Sequence, residues 1–238
     1  MSDSPKLSVV IPLYNEEDNV EPLQTEIAEA LEGWDYEVVL VDDGSKDETA
    51  ARVKRDGRTR LLRLENNTGQ SAAMYAGIHH ARGEIIALAD GDLQNDPADI
   101  PELISVMEEQ GVDLVCGYRK NRKDTAFKRF QSRVANAVRS RFTGDGIRDT
   151  GCSLKAMKRE CRDALIPFNG MHRFIPALIK AAGYQLTEIP VNHRPRINND
   201  GKYGTGIKRA IPATRDMFGV GWLNSRQITI CLTDDSDT

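Results

Sequence analysis

The chain reads as one α/β domain: a Rossmann-like, mostly parallel sheet flanked by helices, finishing in a C-terminal helix and tail. Three observations predict this. Short β-branched runs alternate with longer stretches of helical spacing. Those runs are apolar at consecutive positions, as strands buried on both faces are. A length of 238 residues, 39% hydrophobic and 29% charged, suffices for one large core without staples.

The elements follow in order. Residues 7–11 (LSVVI) are the first expected strand, 17–31 a helix, 36–41 (YEVVLV) a second strand, 46–55 a second helix and 60–64 a third strand, a βαβαβ start. Residues 70–81 place Ala73, Ala76, Gly77, Ile78 and Ala81 at helical spacing, with Gly83 as the stop. Strand 84–89 comes next, then helix 99–110, with Pro97 and Pro101 around its start where proline is tolerated. Strand 113–116 completes a nucleotide-binding half of about 1–117. A second half, about 118–206, holds helix 172–182, strand 184–191 and a loop over 192–206; helix 207–218 and a tail close the chain over 207–238.

Charge narrows the function. Lys and Arg number 32 against 36 Asp and Glu, a balance that argues against bulk nucleic-acid affinity. Residues 84–113 carry nine acids and no Lys or Arg, whereas Arg119, Lys120, Arg122, Lys123, Lys128, Arg129, Arg133, Arg139, Arg141 and Arg148 face only Asp124 and Asp145. An acid-rich block followed by a base-rich one suits a metal beside phosphates. Cys116, Cys152, Cys161 and Cys231 form no CxxC pair, so neither zinc nor a disulfide framework is indicated. With no basic leader and no apolar run near the roughly 20 residues that cross a bilayer, a cytoplasmic location is expected.

Three motifs carry candidate chemistry. Asp90-Gly91-Asp92 follows a strand, where open α/β sheets bind ligands, and Mg²⁺ or Mn²⁺ shares such carboxylates with substrate phosphates; Gln94 offers one more oxygen. A solvated or capping turn is the plain alternative. Asp42-Asp43-Gly44-Ser45 ends the second strand, as a grip on base or ribose or as an Asx turn. Pro12-Leu13-Tyr14-Asn15-Glu16 ends the first strand, where Tyr14 offers a face for stacking a nucleobase. All three fall at strand C-termini of one expected sheet.

With these residues in view, the chain resembles the family-two inverting glycosyltransferases of GT-A fold, and within them the dolichyl- or polyprenyl-phosphate sugar transferases such as the mannosyltransferases. The likeness runs from Leu7 to about Tyr203 through SVVIPLYNEEDN, VLVDDGSKDET, NNTGQSAAMYAGIHHARGEIIALADGDLQNDP, CGYR, RDTGCSLKAMKR, VNHRPR and KYG. It implies that Pro12, Tyr14, Glu16, Asp42 and Asp43 hold the nucleotide, that Gln70 and Ala73 line the donor pocket with Asp90, and that Asp90, Asp92 and Gln94 hold Mg²⁺ or Mn²⁺. It further matches Arg119, Arg129, Ser132 and Arg196 to phosphate-binding positions.

Guanidiniums suit the phosphates independently, because arginine stays charged and presents a planar fork; Arg119, Arg129, Arg133, Arg194 and Arg196 are the candidates, with Lys202 in the same loop as the last two. For Lys120, Arg122, Lys123, Arg139 and Arg141 a solvated helix face or attraction to anionic lipid stands beside that role. A phosphate monoester, with a second pKa of about 6, is largely dianionic at neutral pH and needs no general base to attack. That fits His79, His80, His172 and His193, which show neither metal nor triad spacing. Asp149 matches an acidic position near the acceptor, either orienting an arginine or serving as base for an alcohol; a turn before Gly151 is the plain alternative. The catalytic group expected is Asp92, Arg119 and Asp149.

Two features depart from the family. Asn199 and Gly201 stand where its G-x-S-K-Y loop has Gly and Ser, although the loop with Tyr203 still reads as a lid. Many relatives continue into membrane helices, whereas this chain stops at DDSDT, so a lipid acceptor would be met at the inner membrane face. There Trp222, Leu223, Ile228, Ile230 and Leu232 either dip into the interface or pack on the core. The function expected is inverting transfer of a hexose from a GDP-mannose or UDP-glucose type donor to a polyprenyl phosphate. The alternatives are a soluble or saccharide acceptor and a noncatalytic nucleotide-sugar binding module. A sugar nucleotidyltransferase lacks support, since PLYNE stands where GxGxR is expected.

Overall fold

The computed structural model describes residues 4–119, 139–195 and 207–228, with 207–211 as backbone alone. Its elements are β1 (Leu7–Leu13), α1 (Val20–Ala30), β2 (Tyr36–Asp42), β3 (Thr59–Arg63), α2 (Gln70–His80), β4 (Ile85–Leu88), α3 (Ile100–Gln110), β5 (Leu114–Arg119), β6 (Lys155–Lys158), α4 (Ile175–Ala181), β7 (Leu186–Val191) and α5 (Ile207–Asn224). Among the described residues seven strands make one sheet in the order β3-β2-β1-β4-β6-β5-β7. Every pairing is parallel except those of β6, which runs against both β4 and β5.

Both faces of the sheet are covered, which is why its strands are apolar at consecutive positions. Leu7, Val9, Ile11 and Leu13 of β1 share one cluster with Leu23 and Ile27 of α1 and Leu103 of α3. Val10, on the opposite face, clusters with Met74 and Ile78 of α2 and Ile175 and Leu178 of α4. Each fully buried side chain of this size stabilises by about 1.5–3 kcal/mol before the entropy cost of ordering it. Gly77 lets α2 sit low on the sheet, since a Cβ there would stand 2.4 Å from Val10 Cγ1 and 2.9 Å from Val41 Cγ2. The chain steps from β1 out to β2 and β3, then returns through α2 to β4 on the other side of β1. The loops after β1 and β4 therefore flank a topological switch point, the usual ligand crevice of such sheets.

Several expectations are corrected. Residues 46–55 are turns, and the start is βαββ without a second crossover helix. Side chains there take the backbone's hydrogen bonds: Asp47 Oδ1 accepts from Thr49 N (3.0 Å) and Thr49 Oγ1 (2.5 Å), and Asp42 Oδ1 from Ser45 N (3.0 Å). Arg52 N reaches Glu48 O (3.0 Å), a helical turn that does not propagate. Strand β6 was not expected, because KAMK is short and half lysine; Lys155 is nonetheless buried and Lys158 pairs with Asp113 at 2.7 Å. The helix expected at 172–182 is a 3-10 turn (Met171–Arg173) followed by α4, whose Pro176 sits in the first turn where a missing N–H costs nothing. The last helix runs to Asn224, past 218, carried on by Met217 and Val220 in the core. Helix α1 opens at Val20, after a turn in which Asn19 and Val20 donate to Glu16 O (2.9 and 3.2 Å).

Candidate active site

The loops leaving β1 and β2 are locked to each other. Asn15 has φ 51, a left-handed backbone that asparagine tolerates. Its N–H donates to Ser45 Oγ and its Oδ1 accepts from Lys46 N, both at 2.9 Å. Glu16 N donates to Thr49 Oγ1 (2.8 Å), and the Glu16 carboxylate accepts from Asn19 Nδ2 (2.5 Å). Pro12 is buried opposite Val41, and Tyr14 is half-buried at the head of this loop.

Asp42 and Asp43 are both buried and already engaged. Asp42 accepts from Ser45 N and from Arg63 Nε (3.3 Å). Asp43 takes Thr68 N at 2.7 Å and Gly69 N at 2.8 Å, one on each oxygen, and so fixes the turn that launches α2. A carboxylate oxygen has two lone pairs, so anchoring a loop does not exhaust either group. Gln70 is thereby aimed across the crevice, where its Nε2 donates to Asp90 Oδ1 at 2.7 Å; Ala73 lies fully buried one turn on.

Asp90 is the electrostatic centre of the site. Its N–H donates to Asn95 Oδ1 (3.0 Å), and its Oδ2 accepts from Ser153 Oγ. Burial pushes its carboxyl above the usual range and the neighbouring Asp92 adds to the push; the Ser153 hydrogen bond and the charges of Lys155 and Arg119 act against them without winning. Asp92 Oδ1 accepts from Gln94 N (3.2 Å), and Leu93 between them has φ 60. Gly91 lets this loop cross β1, since a Cβ would lie 2.4 Å from Leu13 Cδ2. Gln94 and Arg194 join the loop to the end of β7: Arg194 N donates to Gln94 O (2.9 Å), Gln94 Nε2 to Arg194 O (3.4 Å), and Asn95 bridges His193.

Arg119 and Asp149 form a two-pronged pair, Nε to Oδ2 at 2.7 Å and Nη2 to Oδ1 at 2.8 Å, with side chains 18% and 12% exposed. Arg194 spends its terminal nitrogens on Glu26 (2.7 Å) and Asp96 (2.9 Å), so it staples α1 to the acidic loop. Arg129, Ser132, Arg133, Arg196 and Lys202 lie outside the described residues, as do Lys120, Arg122, Lys123, Lys128, Asn199, Gly201, Tyr203, Ile230, Leu232 and Cys231. Sequence reasoning missed Ser153, Lys155 and Asn95. The first two belong to GCSLK, whose spacing by itself signals no site; strand β6 is what brings them to Asp90.

Among the described residues no group of three or more His, Cys, Asp or Glu converges; Asp90, Asp92 and Gln94 follow one another in the loop after β4. A carboxylate whose ionisation is made costlier by its surroundings, with a second carboxylate and an amide beside it, fits a hard divalent cation that completes its shell from substrate oxygens.

The profile of Glycosyl transferase family 2 matches residues 8–165. A dodecaprenyl-phosphate galacturonate synthase of Rhizobium johnstonii is 41% identical over 225 residues, covering 90% of this chain and 66% of that one. An undecaprenyl-phosphate 4-deoxy-4-formamido-L-arabinose transferase of Pseudomonas fluorescens is 40% identical over 204 residues, 83% of this chain and 60% of that one. The chain thus spans 60 to 66% of these relatives' lengths. Glucosyl-3-phosphoglycerate synthase of Mycobacterium tuberculosis, solved with Mn²⁺, UDP-glucose and glycerol 3-phosphate, superposes with a TM-score of 0.68 at 19% identity, covering 92% of this chain and 80% of that one. A second complex of that enzyme, with Mn²⁺, UDP and phosphoglyceric acid, gives 0.71 at 18% identity over 94% and 80%. At that identity the likeness establishes the GT-A fold, while the profile and the sequence relatives agree on kinship: the chain belongs to glycosyl transferase family 2.

Proposed function

We propose that this chain transfers a sugar from a nucleoside diphosphate sugar to a polyprenyl phosphate with inversion at the anomeric carbon. The observation that carries the reading is Asp90: a half-buried carboxylate with a raised pKa, set beside Asp92 and coupled to Arg119 and Lys155 at the switch point of a parallel sheet. The names of the relatives supply the lipid acceptor. Pro12, Tyr14, Glu16, Asp42 and Asp43 lie on the side that receives the nucleotide and Gln70 on that of the sugar diphosphate, with Ala73 fully buried in the core behind it. Asp90, Asp92 and Gln94 would hold Mg²⁺ or Mn²⁺, which supplies Lewis-acid stabilisation of the leaving diphosphate. Asp149 acts by holding Arg119 in a fixed orientation toward phosphate, each of its oxygens accepting from one nitrogen of that guanidinium. An acceptor phosphate oxygen forms the new bond to the anomeric carbon as the bond to the diphosphate breaks, and the dianion needs no side chain to take a proton.

The test is nucleoside diphosphate release from a panel of UDP- and GDP-sugars with Mn²⁺ and a polyprenyl phosphate, followed by solvent extraction of labelled sugar lipid. Acceptor-dependent release with label in the organic phase is expected. Release only with soluble phosphates or saccharides overturns the lipid acceptor, and donor binding without turnover on any acceptor overturns the transferase.

A further inference from the structure

Residues 147–149, which deliver Asp149 to the site, belong to no helix or strand. Side chains fix them instead. Asp145 Oδ1 accepts from Ile147 N at 3.0 Å, Glu188 Oε1 accepts from Arg148 N at 2.8 Å, and the N–H of Asp149 donates to the same Glu188 carboxylate. Three consecutive N–H groups are thus held by two acids. On the other side of the stretch Asp149 takes the Arg119 guanidinium on its two oxygens, and Arg119 N donates to Oδ2 as well, at 3.2 Å. A Cβ at Gly151 would stand 3.0 Å from Arg119 Nη2, so the turn closes tightly over the pair.

The two acids differ in what else they do. Asp145 is buried and also accepts from Arg139 Nη1 (2.7 Å) and Thr143 Oγ1 (2.8 Å), partners within six residues of it. Glu188 comes from β7, where it stands opposite Cys116 of β5, the strand that ends at Arg119. One end of the Arg119–Asp149 pair is therefore carried by β5 and the other is tied to the neighbour of β5 in the same ladder, and groups mounted on strands hold their geometry better than groups on loops. The Arg148 side chain does not account for Glu188. Its Nε stands 3.6 Å from Oε2, it is 73% exposed and it lies over the Tyr118 ring; an exposed pair of that length contributes little. Glu188 itself is only 10% exposed, and burial pushes its carboxyl above the usual range, the N–H donors and Arg148 pulling the other way without winning. An apolar side chain beside Cys116 would cost less, so stability is a poor account of this carboxylate.

We propose that Glu188 is a positioning residue: by holding the N–H groups of Arg148 and Asp149 it sets the direction in which Arg119 presents its guanidinium to phosphate. The purpose of that positioning rests on the reading of Arg119 given above, whereas the contact itself does not. The test is E188A, alone and combined with Asp149→Asn, in acceptor-dependent transfer by the full chain. E188A should lower kcat by about tenfold or more, on the scale of a catalytic group displaced by a fraction of an ångström to an ångström, while the thermal shift with Mn²⁺ and UDP or GDP stays that of the wild type. Because Glu188 acts through Asp149, the double variant should match Asp149→Asn alone within about twofold. E188Q, whose amide oxygen still accepts an N–H, should recover part of the loss. A second readout needs no substrate. In ¹H–¹⁵N spectra of the arginine side chains, the Arg119 Nε–H, identified by its disappearance in R119K, should be shielded from exchange with water in the wild type and lose that protection in Asp149→Asn and, to a smaller degree, in E188A.

Losses from E188A and Asp149→Asn that multiply in the double variant overturn the proposal, because Glu188 would then act apart from Asp149. So does a lower melting temperature in E188A with kcat and the exchange of the Arg119 Nε–H unchanged, which reduces Glu188 to a structural acceptor. R148Q as impaired as E188A, or E188Q that recovers nothing, overturns it in favour of the Arg148 ion pair. If E188A does not fold, E188Q enters the same cycle, with a smaller loss expected that Asp149→Asn again hides. The two readings fail separately: an Arg119 Nε–H that responds to E188A in a protein that transfers no sugar to any acceptor leaves the positioning intact and removes the transferase.

Discussion

Glu37 and Asp90 are two acids at opposite ends of the same sheet, and their surroundings treat charge in opposite ways. Glu37, at the start of β2, receives Ser8 Oγ (2.8 Å) and Arg82 N (2.7 Å) on one oxygen and Arg60 Nη1 (3.0 Å) on the other. Burial alone would push its carboxyl up, but these donors hold it below the usual range. Asp90, past the end of β4, has Gln70 and Ser153 as donors and a second carboxylate close by, and its carboxyl sits above the usual range. The contrast separates a carboxylate that belongs to the fold from one left in need of a positive partner.

The largest effect expected is on catalysis. Asp90→Asn and Asp92→Asn should each lower transfer by about 10²–10³-fold, the usual scale for losing a group that stabilises developing charge. Asp90→Asn should at the same time leave the melting temperature unchanged or raise it, because the replaced charge is one that burial disfavours. Equal loss of stability and activity would break the comparison. Next, Arg119→Lys keeps the charge but gives up the fork onto Asp149, and a drop of about 10²-fold in kcat is expected from misplacement alone. Asp149→Asn should follow it in direction, and an alcohol acceptor that loses far more than a phosphate acceptor would show Asp149 acting as a base.

Smaller effects lie at the other end of the sheet. Glu37→Gln should cost about 1–3 kcal/mol of unfolding free energy by urea titration, through unsatisfied donors, and leave the thermal shift with nucleotide sugar as in the wild type. Smallest is a pH effect. Because the folded-state pKa of Glu37 is depressed, its contribution is complete above the ordinary glutamate value of about 4.3 and is lost as pH falls through the folded value. The gap in stability between wild type and Glu37→Gln should therefore narrow on acidification, and a gap that widens would contradict the assignment.

Much of this could be read from residue order, for a physical reason. Strands buried on two faces advertise themselves as apolar runs, and ligand-binding loops follow them, so Asp42, Asp43, Asp90 and Asp92 were placed by counting from strand ends. What could not be read depends on contacts distant in sequence. Asp47, Asp42 and Thr49 diverted 46–55 from helix into turns through local side-chain bonds that helical spacing does not reveal. Strand β6 has four residues, two of them lysines, and only its neighbours make it a strand. Arg194 reads in sequence as a phosphate ligand, and what its residue order does not show is Glu26, 168 positions away, on its guanidinium.

The reversal of β6 has a consequence for how such a protein can change. Asp42, Asp43, Asp90 and Asp92 arrive on segments departing from strands, whereas Asp149 and Ser153 arrive on a segment approaching one, so the two sets reach a common edge from opposite travel directions. On the proposed function, substitutions on the incoming stretch would retune the acceptor while the outgoing loops keep their hold on the donor, so that the two specificities could change separately.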